Sequence, residues 1–256
     1  MTRYLYRKGV KLAYESYQGI SPALIFIHGG GSNRSIWRRY LASFEDHRRI
    51  AMDLRAHGKS GLGPISLENF IEDCKVILAK EKIKDCILVG NSLGALVAYH
   101  LSSRIKGVKG LILASPLSRE YARAAWILGP LAKFGKWLFS FGPKTRRVFQ
   151  DYGLAVINPL KQFPLLDFRG TYLRDWLASA YVVLSSTEDL RELKHKTVVL
   201  LGLRDVLVNT RAVRTHAKEN PLVTYRALGS HHHLTTVKCD YVISLLRRFV
   251  QGIRHG

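Results

Sequence analysis

The chain has 256 residues, 47% hydrophobic and 23% charged, which supplies a large core and fits a globular chain rather than a disordered one. Forty Lys and Arg against nineteen Asp and Glu leave a formal charge of +21, which bears on solubility and nonspecific attraction rather than on fold. The basic residues are dispersed in short groups, such as Arg38-Arg39, Arg48-Arg49 and Arg247-Arg248, with no basic tail and no nucleic-acid motif.

Solvated surface is therefore the expected role of most of this charge. A weak attraction to an anionic membrane surface is the alternative, and specific nucleic-acid binding is not expected. Residues 1–8 lack the apolar run of a signal peptide, and no stretch approaches the ~20 apolar residues of a spanning helix. A cytoplasmic location is the expectation. Cys74, Cys86 and Cys239 are odd in number, without C-x-x-C spacing, and lie in apolar patterns, so buried packing is expected rather than a disulfide framework or a zinc site.

In chain order, residues 4–7 and 11–17 read as an antiparallel hairpin. Short apolar runs follow at 23–27, 49–52, 86–89, 111–114 and 198–201, each ending near Gly, Asp or Ser, as buried parallel strands do. Residues 222–228 are a last candidate strand. Ser66 can cap a helix that carries Leu67, Phe70, Ile71, Cys74, Ile77 and Leu78 on one face. Leu93, Leu96, Val97 and Leu101 form a second stripe, and Val237, Tyr241, Val242, Leu245, Leu246 and Phe249 a C-terminal one. Strands alternating with helices predict an α/β fold with a mostly parallel central sheet flanked by helices.

Residues 116–193 break this rhythm. They are rich in aromatics, and Leu131, Phe134, Leu138 and Phe141 could share one helix face with Lys133 and Lys136 turned away. The expected organisation is a core domain of residues 1–115 and 194–256, with 116–193 inserted as a helical cap over the strand ends, where such sheets gather their chemistry.

Four loops then follow strands. His28-Gly29-Gly30-Gly31 comes first, and Gly90-Asn91-Ser92-Leu93-Gly94, a G-x-S-x-G match, second. Gly202-Leu203-Arg204-Asp205 is third, and the triplet His231-His232-His233 last. The segment Asp53-Leu54-Arg55-Ala56-His57-Gly58-Lys59-Ser60 also follows a strand.

This order of glycine loop, Ser, Asp and His resembles the α/β-hydrolase superfamily over nearly the full length, in its cap-bearing serine-hydrolase branch of carboxylesterases and lipase-like enzymes. The segment from Asp53 is similar to that superfamily's D-x-R-G-H-G-x-S loop, with Ala56 at a usual glycine. The resemblance implies Ser92 as nucleophile, Asp205 as the orienting carboxylate and a histidine of the triplet as base. Spacing from the terminal helix favours His232, with His231 and His233 open. It implies oxyanion donors at the Leu93 amide and at Gly30, with Gly31 as fallback, and His28 as a loop-fixing residue.

The expected reaction is cleavage of an apolar carboxylic ester through an acyl-enzyme, with no metal and no organic cofactor. Two readings stay open beside it. Asn91 before the serine recurs in carbon–carbon bond hydrolases of the same fold, and a non-catalytic ligand binder could use the same scaffold.

Overall fold

A computed structural model describes residues 1–123, 125–138 and 173–254. β1 (Thr2–Arg7) and β2 (Val10–Tyr17) form the expected hairpin, with Leu5 opposite Leu12. Its two-residue turn has positive φ at both positions, 47° at Lys8 and 75° at Gly9, the twist that tight hairpins prefer.

The remaining strands are β3 (Ile20–Ile27), β4 (His47–Met52), β5 (Cys86–Asn91), β6 (Val108–Ala114), β7 (Thr197–Gly202) and β8 (Val223–Leu228). They join the hairpin in one eight-stranded sheet of order β1-β2-β4-β3-β5-β6-β7-β8. β2 pairs antiparallel with β4, and every pair from β4 to β8 is parallel.

Both faces of the central strands are covered, which is why their sequences read as continuous apolar runs rather than alternating ones. Along β3, Ile25 and Ile27 point into one core and Leu24 and Phe26 into the other. The first core is closed by α2 (Leu67–Lys80) and α3 (Leu93–Ser102), the second by Tyr40 and Leu41 of α1 (Arg38–Ser43). Ser66 caps α2 by accepting the Asn69 amide at 3.1 Å. The three cysteines are free and buried.

Between β6 and β7 lie α4 (Ala125–Leu138) and α5 (Leu173–Ser185). α4 meets α5 with its small residues. A side chain at Gly135 would come within 3.2 Å of Leu177, and one at Gly129 within 3.8 Å of Leu184, so the two helices run antiparallel. Leu131 and Phe134 are 59% and 57% exposed, while Gly129 and Gly135 face α5 and Ala132 is buried. The expectation for Phe141 and for the rest of 139–172 lies outside the described residues.

After β7 come α6 (Thr210–Lys218), α7 (Leu234–Val237) and α8 (Cys239–Arg254). The single C-terminal helix expected from Val237 onward is divided at Lys238. The restart sets the buried face by Val242, Leu245, Leu246 and Val250, which leaves Val237 63% and Tyr241 39% exposed. Among the described residues no helix is long and apolar enough to cross a membrane.

Candidate active site

The sharpest backbone feature lies at the carboxyl end of β5. Ser92, between β5 and α3, has φ 52° and ψ −117°, a left-handed conformation that costs a non-glycine residue on the order of 1–3 kcal/mol. The flanking glycines make the turn possible. A Cβ at Gly90 would lie 2.2 Å from the Gly94 carbonyl oxygen, and one at Gly94 would lie 2.2 Å from that of Ile27. Any side chain there would force helix and strand apart, so both positions require glycine. The Ser92 amide donates to the Ala114 carbonyl at the end of β6, 2.9 Å away, which fixes the turn against the neighbouring strand.

Asp205 sits in the turn after β7. Its Oδ1 accepts the amides of Leu207 at 2.9 Å and Val208 at 3.1 Å, and its Oδ2 faces His232 Nδ1 at 2.8 Å. Burial pushes this carboxyl up, but the His232 hydrogen bond and the two amides outweigh it and hold it below the usual carboxylate range. Asp205 is thus ionised at neutral pH, and an ionised carboxylate can only accept. His232 Nδ1 therefore carries the proton and donates to Oδ2, leaving a lone pair on Nε2. That Nε2 lies 2.9 Å from Ser92 Oγ, so the serine hydroxyl can donate to it.

The other two histidines go elsewhere. His231 Nδ1 donates to the Arg204 carbonyl at 3.1 Å, and the His233 ring stands nearly perpendicular to that of His232, 5.7 Å between centroids. Gly202 allows the histidine loop to cross the aspartate loop, since a Cβ there would lie 2.6 Å from the carbonyl oxygens of both Ser230 and His231.

The glycine loop after β3 passes over the same serine. A Cβ at Gly29 would fall 3.3 Å from Ser92 Cβ, and one at Gly30 would fall 3.8 Å from both Leu93 Cδ2 and Ser179 Cβ of α5. Gly30 thus lies against Leu93 with α5 on its other side. Leu93 opens α3, so its amide has no acceptor within that helix. The Leu93 amide directly follows the serine, and Gly30 lies against the Leu93 side chain.

His28 fixes this loop. Its Nε2 accepts the Leu54 amide at 3.0 Å, so Nε2 is unprotonated, and Nδ1 donates to the Gly29 carbonyl at 2.7 Å. Burial pulls its pKa down to about 4, which keeps that neutral tautomer. The loop from Asp53 braces the site from below. Asp53 accepts the amides of Arg34 at 2.7 Å and Lys59 at 2.8 Å and pairs with the Arg34 guanidinium. A Cβ at Gly58 would come within 2.4 Å of the Asp53 carboxylate, and Ala56 adopts φ 60°, where glycine would be unstrained.

The structure thus gathers Ser92, Asp205 and His232 and sets Gly30 and Leu93 beside them. Sequence reasoning missed the polar contacts that hold the histidine loop. Ser115 Oγ donates to the His232 carbonyl at 2.9 Å, Tyr40 donates to the Thr235 carbonyl at 2.6 Å, and Thr235 donates to Asn91 Oδ1 at 3.4 Å. Each joins residues far apart in the chain, so no local spacing marks them.

Comparison with known proteins gives a consistent picture. The model of the Alpha/beta hydrolase family matches residues 24–242. A pimeloyl-[acyl-carrier protein] methyl ester esterase of Vibrio vulnificus is 33% identical over 112 residues, 43% of this chain and 42% of the relative. A 3-oxoadipate enol-lactonase of Acinetobacter baylyi is 31% identical over 125 residues, 46% of each chain. The matched stretch thus spans less than half the length of either relative. In overall fold, a carboxylesterase structure from Nitrososphaera gargenis is similar with a TM-score of 0.77 at 20% identity, covering 99% of both chains.

Proposed function

The chain belongs to the α/β-hydrolase family, and from that premise we propose that it is a serine esterase cleaving carboxylic esters with an apolar acyl group. The observation that carries this reading is the hydrogen-bonded relay from Asp205 through His232 to Ser92, 2.8 and 2.9 Å long, at the head of a strained turn. The names of the relatives above, an esterase and a lactonase, support ester chemistry in the same family.

In this account Ser92 Oγ attacks the ester carbonyl as its proton passes to His232 Nε2, and Asp205 stabilises the resulting imidazolium. The carbonyl oxygen, now negative, is met by the amides of Gly30 and Leu93. The tetrahedral adduct collapses, the C–O bond to the alcohol breaks, and His232 returns the proton to the leaving oxygen. Water then repeats the sequence on the acyl-enzyme, giving the acid and restoring Ser92. These protein groups carry every proton transfer in the cycle.

Residues 116–193 are proposed as the cap, with α5 beside Gly30 as its contact to the site. Asn91, which raised carbon–carbon bond cleavage, is engaged by Thr235, so esters are the first substrates to test. The experiment is hydrolysis of p-nitrophenyl esters from acetate to palmitate by wild type and by Ser92→Ala. Turnover in the wild type alone supports the reading. Equal turnover in both overturns it.

A further inference from the structure

The end of β6 carries a second left-handed residue beside the first. Ser115, which precedes Pro116, has φ 46° and is fully buried. Glycine would adopt it without strain, so the serine must be judged by what its side chain reaches.

Ser115 reaches in two directions. Its amide donates to the Leu200 carbonyl at 2.8 Å, continuing the pairing of β6 with β7 past the strand end. Its hydroxyl donates to the carbonyl of His232 itself, 2.9 Å away and buried. The same stretch ties in the serine turn, because the Ser92 amide donates to the Ala114 carbonyl, one residue earlier. Two consecutive residues, Ala114 and Ser115, therefore hold the backbones of Ser92 and His232, which lie 140 residues apart in the chain. Downstream, Tyr40 and Asn91 hold the loop again at Thr235.

We propose that Ser115 is a positioning residue: its hydroxyl fixes the backbone of His232 so that Nε2 faces Ser92 Oγ. The inference rests on the esterase reading of that pair. A short loop crossing the end of β7 can shift by a fraction of an ångström without unfolding anything, and such a shift opens a 2.9 Å hydrogen bond first. Without the hydroxyl, the buried His232 carbonyl loses this donor and moves to find another.

The test measures the rate of phosphonylation by a fluorophosphonate, together with the melting temperature. The variants are Ser115→Ala, which deletes only the hydroxyl, and Ser115→Gly, which also relieves the backbone. Ser102→Ala is the control, since it deletes a buried serine bond to a carbonyl, 2.7 Å long, at the far end of α3. Both Ser115 variants should label at Ser92 roughly 10-fold more slowly, since misplacing a reacting group by about 1 Å can cost on the order of 100-fold and a smaller shift costs less. With an ester that turns over, kcat should fall and KM hold. Ser102→Ala should label at the wild-type rate.

If Ser115→Ala should fail to fold, Ser115→Gly carries the test alone. A Ser115 variant that labels as fast as wild type overturns the proposal, as does an equal slowing in Ser102→Ala. A wild type that does not label at all overturns the esterase reading instead, and the positioning role falls with it.

Discussion

Glu188 offers a prediction whose size follows from the structure. It lies just after α5 and is buried, and neither carboxyl oxygen has a hydrogen-bond partner among the described residues. The neighbouring Glu120 accepts the Glu188 amide at 3.1 Å. Burial, with a smaller contribution from Glu120, pushes the Glu188 pKa from 4.5 up to about 8. The folded protein therefore holds a proton that the unfolded chain releases between those values. Stability from this group is complete below pH 4.5 and declines as pH rises toward 8. Each pH unit in that window costs about 1.36 kcal/mol, so the whole span costs at most about 5 kcal/mol.

Glu188→Gln removes the ionisation and keeps the shape. Urea unfolding of both proteins between pH 5 and 9 should give curves that diverge, with the variant more stable by several kcal/mol at pH 9 and close to wild type at pH 5. Parallel curves would mean that Glu188 does not hold an extra proton in the folded protein. The region concerned ties the end of α5 to α3 and to the segment after β6, since Arg119 donates its amide to the Ser186 carbonyl and His100 donates to that of Thr187.

Three further outcomes are expected. Asp205→Asn should lower kcat/KM by roughly 10⁴-fold, as loss of the orienting carboxylate does in such triads. The Leu207 and Val208 amides would keep the asparagine oxygen, turning its NH2 to His232 and forcing the proton onto Nε2. His232→Ala should abolish turnover, while His231→Ala, which loses only a bond to the Arg204 carbonyl, should stay within a few-fold of wild type; the reverse result in kinetics would reassign the base. Gly94→Ala puts a Cβ 2.2 Å from the Ile27 carbonyl oxygen, and calorimetry should find it destabilised by more than about 3 kcal/mol or unfolded.

Much of the fold was legible because its signals are local. Runs such as 23–27 and 86–89 are apolar at every position, since alternate residues enter two different cores. The serine turn was legible for a similar reason: Gly90 and Gly94 flank it at fixed spacing, and each is excluded from bearing a side chain by one close carbonyl. The histidine was less so. Three consecutive residues share one sequence context, and only the path of the loop across Gly202 decides which ring meets Asp205. Ser115 carried no sequence signal, because its role depends on a contact 117 residues away. Which face of α4 its neighbour covers was not legible, because periodicity identifies an apolar stripe and not its partner, and here glycines allow close approach. The pairing of Arg55 with Asp73, inside an otherwise apolar helix face, was equally invisible.

In the proposed cycle Ser92 becomes covalently acylated. Mixing the protein with a p-nitrophenyl ester, quenching in acid within the first turnover and mapping peptide masses tests it directly. One acyl group is expected on the peptide containing Ser92, absent from Ser92→Ala. Ester turnover with no acyl group on that peptide, and undiminished in Ser92→Ala, would contradict it.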